Sequence, residues 1–357
     1  SGNIGAAFVS THALEHGEHA GILCSEVGKL GVQIDFAHRT FSWSNEGRKN
    51  AAVHCVIIGF SNASSLPKRL FDYASLNAEP HEVPASFINA YLVDGPDVLL
   101  ASRAYPVCDV PKMMYGSKPT DGGHLLLTEE ERNSLVATEP QATKFLRPFV
   151  GADEFLYSTP RFCLWLVGAS PAEIKACPQV MERIELVRKM RLASPKIPTR
   201  NLAKQPTIFA EIRQPGSAYL LVPGHTSESR GVIPFGYESP ETICGNANFL
   251  IPGATASTFG ILQSTMHMAW VRTVCGRIKS DYRYSAGIVY NNFPWPELTP
   301  PPQPLEAASS SPASKGGSES DKHRIAIETA AQGVLDARAH FPDATLADVA
   351  KTLCFLT

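Results

Sequence analysis

The cations of residues 181–206 form a long run of side chains that could bind an anion. The run MERIELVRKMRLASPKIPTRNLAKQP contains few acidic residues, and its first half has the spacing of a helix. The second half is a loop of Ser, Pro, Thr and Asn, whose hydroxyls and amides are additional phosphate donors. This pattern predicts phosphate contacts from four cations of the helix: Arg183, Arg188, Lys189 and Arg191. The alternative is an ordinary solvated helix face.

The segment VPGHTSESRG, residues 222–231, collects side chains that can read the edges of bases. Arginine can fork onto guanine and glutamate can accept a hydrogen bond from cytosine, so this composition suits the major groove of DNA. The candidate base-reading residues are His225, Ser227, Glu228 and Arg230. The alternative is an ordinary polar turn.

The segment GRIKSDYRYSAGIVYNNFPWP, residues 276–296, combines cations with aromatic rings. Arg277, Lys279 and Arg283 can neutralise phosphates, while the neighbouring tyrosines can stack on bases or form hydrogen bonds. The alternative places the tyrosines in the core and the cations on the surface.

The sequence offers few other groups of residues that could form a catalytic or metal site. His12, His16 and His19 share roughly one helix face and could offer imidazole nitrogens to a metal, which would make the protein a different class of enzyme. No carboxylate or thiol at a suitable spacing completes that site, so we expect no metal. The sequence contains no G-x-G-x-x-G turn, P-loop, H-E-x-x-H or G-x-S-x-G motif.

The composition is that of a globular protein. The 357 residues are 44% hydrophobic and 18% charged, with a net charge of −2 that argues mildly against nucleic acid. No apolar run approaches the roughly 20 residues of a membrane helix, and the N-terminus has no signal-peptide pattern. We therefore expect a cytoplasmic protein without membrane contact.

Strands and helices must position these groups. Residues 6–60 alternate strand and helix and begin in the middle of an α/β sheet, which predicts a fragment of a longer chain. Mixed short strands and helices follow, with a helix start at Thr128 and a helix interrupted near Pro178. The expected elements include strands at TIFAEI (207–212) and GVIPFGY (231–237) and a helix over 259–276. A Pro/Ser/Gly tract after residue 299 predicts a flexible linker before a last helix.

Nine segments in order resemble one known family. They include AAFVSTHALEHGEHAG, FAHRTFSWSNEG, AAVHCVIIGF, CDVPKMMYGSKPTDGGHLLL, FCLWLVGASP and DYRYSAGIVYNNFPWP. Across about residues 4–297 and the final helix, the chain resembles the C-terminal half of MmeI-like adenine-specific DNA methyltransferases. Many of these are type IIL restriction-modification enzymes that join an endonuclease, a helical spacer, an adenine-N6 methyltransferase domain and a target recognition domain.

The resemblance implies roles for further residues. The loop between the last two strands of the methyltransferase sheet presents an aromatic side chain to the flipped adenine, and Phe41 and Trp43 match that position. The glycine-rich turn that holds S-adenosylmethionine and the Asn-Pro-Pro-aromatic motif are absent, so we expect the cofactor in the full-length parent and none in this chain. The 276–296 segment is then not catalytic but the last strand and exit of the recognition domain.

These inferences give one prediction of fold and function. We expect the tail of a Rossmann-like methyltransferase sheet over residues 1–60, a mixed α+β target recognition domain over 61–298, a flexible linker over 299–322 and a C-terminal helical segment over 323–357. The chain would bind double-stranded DNA sequence-specifically for a methyltransferase whose catalytic motifs lie upstream, in the missing N-terminal part, and would itself be inactive.

Two alternatives stay open. A phage-defence methyltransferase of the PglX type shares the layout but has no nuclease, and an upstream nuclease motif would separate the two. A catalytically inactive protein-interaction or assembly module is the alternative from another class, and it would associate with a protein independently of salt.

Overall fold

The structure is a computed structural model that describes residues 4–43, 53–62, 67–298 and 319–352. The chain forms two compact units. Unit 1 contains residues 1–109, 226–229 and 266–294, and unit 2 contains residues 110–225, 230–265 and 295–357. The boundaries of these units differ from those of the four predicted segments, and the predicted boundaries stay a prediction.

The described residues form many short strands. They are β1 (Gly5–Thr11), β2 (Gln33–Trp43), β3 (Val53–Ser61), β4 (Lys68–Tyr73), β5 (Pro80–Ala85), β6 (Met114–Tyr115), β7 (Leu126–Leu127), β8 (Leu146–Val150), β9 (Phe162–Leu164), β10 (Tyr219–Pro223), β11 (His225–Thr226), β12 (Gly236–Glu238), β13 (Ile243–Cys244), β14 (Asn248–Pro252), β15 (Gly276–Ile278) and β16 (Asp281–Arg283).

The helices separate and cover these strands. They are α1 (Gly17–Gly28), α2 (Glu129–Thr138), α3 (Ala152–Tyr157), α4 (Pro171–Lys175), α5 (Pro178–Leu192), α6 (Ile197–Asn201), α7 (Ala256–Leu262), α8 (Thr265–Val274), α9 (Glu319–Ala339) and α10 (Leu346–Thr352). Short 3-10 helices cover His12–Glu15, Pro140–Phe145 and Leu202–Lys204, and a π-helix covers Ala286–Tyr290. No described helix is long and apolar enough to cross a membrane.

Unit 1 contains a five-stranded mixed sheet in the order β1-β3-β2-β4-β5. β2 runs parallel to β4, and the other neighbours are antiparallel. Ala37, Val56, Leu70, Ile88 and Leu92 form its buried core. β1 differs because most of its side chains are exposed, including Phe8 at 61%.

Unit 2 contains two further four-stranded sheets. Their orders are β12-β10-β14-β6 and β13-β8-β9-β7. The main core cluster joins residues of β8 and β9 to the apolar face of α5, where Val180, Ile184 and Val187 are buried. β10 is buried along its whole length, as expected for the central strand of a covered sheet.

Local sequence explains where several helices begin. Thr128 and Ser170 each form a capping box with the glutamate three residues later, at the starts of α2 and α4. Pro178 occupies the first position of α5, where its missing amide costs nothing, and so α4 and α5 are separate helices.

The helix α9 packs on α7 within unit 2. A Cβ atom on Gly260 would lie 2.9 Å from Ile327 Cγ2 and 3.1 Å from Ala331 Cβ, so the two helices approach closely at this glycine. Ser257 donates a hydrogen bond of 2.6 Å to Glu328, and Arg338 donates to the Phe235 carbonyl at 2.6 Å.

The predicted fold class, a methyltransferase-sheet tail with a mixed α+β domain and a C-terminal helix, is confirmed. Three local predictions were wrong. The helix expected over 259–276 is divided into α7 and α8, with the Ser264 hydroxyl bonded to the Ile261 carbonyl at the break. The expected strands TIFAEI and GVIPFGY are mostly irregular, and the exit segment is a hairpin followed by a π-helix rather than one strand.

Candidate nucleic-acid interface

Residues 226–229, called the reading turn below, present polar side chains from unit 1. Glu228 and Ser229 are exposed, Ser227 is half-buried and Thr226 is buried. The Ser227 hydroxyl lies 3.0 Å from the Ser229 hydroxyl and accepts a hydrogen bond from the Ser229 amide at 3.3 Å. The turn is therefore held by hydrogen bonds between its own serines, and it exposes Glu228 and Ser229.

Two further residues predicted to read bases flank the reading turn and belong to unit 2. His225 is exposed, whereas Arg230 is only 4% exposed. Base reading by Arg230 would therefore require its side chain to leave this buried position.

Residues 276–283, called the exit hairpin below, form the antiparallel pair β15–β16. Arg277 lies opposite Tyr282 and Ile278 lies opposite Asp281, so Lys279 and Ser280 form a two-residue loop. Lys279 has a φ of 55°, which is uncommon for a residue with a Cβ atom. The side chains of Lys279 and Arg283 are exposed.

Arg277 is held inside the exit hairpin. Its side chain is 10% exposed, its guanidinium carbon lies 3.9 Å from the centre of the Tyr282 ring, and it donates to the Ser280 carbonyl at 2.9 Å. The guanidinium also lies 3.9 Å from the Glu228 carboxylate. The tyrosines at 282, 284 and 290 are each 3% exposed or less, which supports the alternative that they belong to the core.

The segment that follows β1 contacts the exit hairpin directly. His12 Nε2 donates to the Lys279 carbonyl at 2.6 Å, and His16 Nδ1 donates to the Thr273 carbonyl at 3.4 Å, because a carbonyl can only accept. Burial is the largest cause that lowers both pKa values, that of His16 to about 3, and the Arg277 charge acts in the same direction. Burial therefore disfavours the charged form of both imidazoles.

Glu15 is buried beside these histidines. It is 5% exposed and accepts a hydrogen bond from the Thr40 hydroxyl at 2.5 Å. Burial raises its pKa to about 7, against the opposing effects of Thr40 and of the Arg39 charge. This hydrogen bond connects the segment after β1 to β2, the strand that carries the predicted base-stacking residues.

The two aromatic candidates on β2 differ in exposure. Phe41 is half-buried and stacks on Tyr73 with ring centres 5.3 Å apart. Trp43 is 46% exposed, and its ring centre lies 6.1 Å from that of Phe41. The loop that follows Trp43, residues 44–52, lies outside the described residues.

The cations of α5 in unit 2 fall into two groups. Arg188 and Lys189 are exposed, and Arg188 forms two hydrogen bonds of 2.7 Å with Glu185. Arg183 is 22% exposed and bonds to the Glu131 carboxylate and to the His124 and Leu126 carbonyls.

Arg191 contradicts its predicted contact with phosphate. It is 0% exposed. Its five donor hydrogens bond to five carbonyls, those of Pro119, Thr120, Leu202, Gln205 and Ile208. No donor is left for a phosphate, so this residue organises the chain around α5 instead.

No metal site emerges from the three N-terminal histidines. His12 and His16 each use one ring nitrogen on a carbonyl and His19 is exposed on α1. Among the described residues, no group of three His, Cys, Asp or Glu side chains could hold a metal ion.

The sequence analysis missed four residues that shape this region: His12 and His16 as hydrogen-bond donors, Glu15 as a buried acid, and Asp281, which accepts a hydrogen bond of 3.2 Å from the Glu228 amide. The histidine spacing was visible, but their carbonyl partners lie more than 250 residues away along the chain. Spacing alone could not identify those partners.

Comparison with known proteins adds to this geometry. The chain matches the family models described as "MmeI, target recognition domain" over residues 94–297 and "MmeI, DNA-methyltransferase domain" over residues 1–72. DNA methyltransferase A of Bacillus subtilis (strain 168) is 39% identical over 297 residues, which cover 83% of this chain and 33% of that relative.

A solved structure is similar over nearly the whole chain. The type IIL restriction-modification enzyme MmeI in complex with DNA is 44% identical, with a TM-score of 0.86. The match covers 98% of this chain and 44% of MmeI. The chain thus spans less than half the length of these relatives.

Proposed function

Because the chain belongs to the MmeI family, we propose that it provides sequence-specific recognition of double-stranded DNA for an adenine-N6 methyltransferase of a restriction-modification system. The observation that carries this proposal is the similarity over 98% of the chain to MmeI, whose structure contains DNA. The target recognition domain model of the family matches residues 94–297, which are more than half of the chain.

The geometry of unit 1 supports base reading by the reading turn. Ser227 and Ser229 offer hydroxyls, and the half-exposed Glu228 carboxylate could accept from the exocyclic amine of cytosine. Lys279 and Arg283 of the exit hairpin would contact phosphates and so set the register of the turn on the duplex. His225 and Arg230 complete the proposed base-reading set, Arg230 only after it leaves its buried position.

Fewer residues of unit 2 are proposed as phosphate contacts than the sequence pattern predicts. We retain Arg188 and Lys189, which are exposed. Arg191 is excluded by its burial, and Arg183 would have to break three hydrogen bonds. We also leave out Arg277 of unit 1, because its guanidinium already faces Tyr282 and Glu228.

Methyl transfer itself belongs to the longer proteins of the family in this proposal. The residues present do not fit S-adenosylmethionine, since the chain has neither the glycine-rich turn nor the Asn-Pro dipeptide, and His12 and His16 direct ring nitrogens to carbonyls. Trp43, which is more exposed than Phe41, is the residue that would stack on a flipped adenine.

The decisive experiment is binding of the chain to a random-sequence duplex library across a salt series, followed by sequencing of the retained DNA. We expect affinity to fall as salt rises and one motif to be enriched. Glu228→Gln should alter that motif, whereas Arg283→Ala should weaken binding to all sequences alike.

A matched control uses a glutamate outside the reading turn. Glu182→Gln changes an exposed residue of α5 and should leave the motif unchanged. Absence of DNA binding even at low salt would overturn the proposal and favour the protein-interaction module instead. Retention of the same motif by the Glu228 variant would remove that residue from the base-reading set.

A further inference from the structure

The reading turn is fixed by the exit hairpin through two contacts on one residue. The Glu228 amide donates to the Asp281 carboxylate at 3.2 Å, and the Glu228 carboxylate lies 3.9 Å from the Arg277 guanidinium. These contacts act on the backbone and on the side chain of the same residue. A displacement of the hairpin would therefore also turn the Glu228 side chain.

The exit hairpin is fixed in turn by the segment after β1. His12 donates to the carbonyl of Lys279, the loop residue with a left-handed backbone, and this bond stabilises a conformation that is otherwise unfavourable. Gly17 has a φ of 62°, and a Cβ atom there would lie 3.3 Å from the Gly276 Cα atom. The backbones of α1 and β15 therefore touch at two glycines, which leaves little room for the hairpin to shift.

Arg277 connects the two sets of contacts. Its planar guanidinium stacks on Tyr282, bonds to the Ser280 carbonyl in the hairpin loop and faces Glu228 in the reading turn. Its charge also lowers the pKa values of His12, Glu15 and His16. Lysine lacks the planar fork and could not make the stack and the hydrogen bond together.

We propose that Arg277 and His12 are positioning residues for sequence reading: they fix the exit hairpin against the segment after β1 and thereby set the orientation of Glu228. Recognition at the turn is then coupled to the part of the chain that also carries Phe41 and Trp43. The consequence for DNA rests on the proposed function, whereas the positioning of the turn does not.

The first test needs no DNA. Hydrogen–deuterium exchange of peptides covering residues 224–231 is compared between the wild-type chain, His12→Ala and Arg277→Met. We expect exchange in the reading turn to accelerate by about tenfold in both variants, because protection there depends on the contacts of the hairpin. His19→Ala changes an exposed histidine of the same region and should leave this exchange unchanged.

Conservative variants separate positioning from general stability. His12→Gln keeps a donor of similar reach and should restore slow exchange in the reading turn. Arg277→Lys keeps the charge and should not restore it, and it also provides a folded protein if Arg277→Met does not fold. Unchanged exchange in folded His12→Ala and in both Arg277 variants would overturn the proposal.

The second test measures sequence preference with the duplex library. Arg277→Lys and His12→Ala should lower the ratio of motif to random-sequence affinity about tenfold while the salt dependence stays as in the wild type. Arg283→Ala, in the same hairpin, should lower the salt dependence and keep the preference. If Arg277→Met instead lowered the salt dependence and kept the preference, Arg277 would be a phosphate contact. A wild-type chain that binds no DNA would overturn the proposed function, and the exchange comparison would still decide the positioning of the turn.

Discussion

Units 1 and 2 each bury an arginine that the sequence places in a basic stretch, but they do so in different ways. In unit 2, Arg191 bonds five backbone carbonyls and is 0% exposed. In unit 1, Arg277 bonds one carbonyl, stacks on one ring and faces a carboxylate that is partly exposed.

The difference concerns what each arginine can influence. The carbonyls around Arg191 come from segments that precede and follow α5 in the sequence, so this arginine connects separate parts of the backbone of unit 2. Arg277 contacts a side chain that could still turn toward a ligand. A buried cation bonded only to backbone stabilises the fold, whereas one that touches an exposed acid can also orient it.

The largest expected effect is on the stability of unit 2. Arg191→Met should lower the free energy of unfolding by about 3–5 kcal/mol, because several buried carbonyls lose their donor together. Chemical denaturation followed by circular dichroism measures this change. The exposed neighbour provides the control, since Lys189→Met should stay within about 0.5 kcal/mol of the wild type. Equal stabilities for the two variants would show that the carbonyl contacts of Arg191 contribute little.

The second effect is a pH dependence in unit 1. Glu15 has a pKa of about 7, above its ordinary value, so the folded chain holds a proton that the unfolded chain has released between about pH 4.5 and 7. Stability from this group is therefore present at low pH and is lost as pH rises through 7. We expect a loss of about 2–3 kcal/mol between pH 5 and pH 8.

Glu15→Gln should remove this contribution, whereas Glu18→Gln, at an exposed position of α1, should retain it. Denaturation midpoints measured across the pH range test both variants. A pH profile shared by the wild type and Glu15→Gln would show that Glu15 is ionised in the folded chain at pH 5.

The third effect compares ion pairs of the two units by double-mutant cycles. Arg277 and Glu228, with side chains 10% and 37% exposed, should couple by about 0.5–1 kcal/mol. Arg188 and Glu185, at 47% and 41%, should couple more weakly, because water screens the charges of both. A stronger coupling for the exposed pair would reverse the proposed order.

The smallest effect on stability belongs to the exposed cations. Lys189→Ala and Arg283→Ala should each change the free energy of unfolding by less than about 0.5 kcal/mol, yet each should reduce the slope of DNA affinity against salt by about 1. Titrations at several salt concentrations measure these slopes. A loss of stability without a change of slope would show that these cations have a structural role and do not contact phosphates.

Local sequence predicted the elements whose signals are local. The strands at residues 5–11, 33–43 and 53–61, the cap at Thr128 and the break before Pro178 follow from alternation, capping and the missing proline amide. The prediction of a strand at residues 207–212 was wrong because the β pairing of that segment is limited to an isolated bridge between Lys118 and Glu211.

The burial of Arg191 could have been read from its spacing. Val180, Ile184, Val187 and Arg191 follow one another at intervals of four, three and four, which places the arginine on the apolar face of α5. The many cations of residues 181–206 favoured an exposed position for Arg191 in the prediction.

The burial of Arg277 could not be predicted in the same way. It depends on the two-residue loop at Lys279 and Ser280, which sets Arg277 opposite Tyr282 and therefore on the same face of the hairpin. The loop conformation depends on His12, a residue that only the folded chain brings near.

The close approach of α9 to Gly260 determines where the chain can be shortened. Truncation after residue 297, where the match to the recognition domain model ends, would remove Ile327 and Ala331 from α7 and would leave Ser257 and the Phe235 carbonyl without their partners on α9. Apolar surface uncovered in this way promotes association between copies. A recombinant recognition domain should therefore include α9 through residue 339.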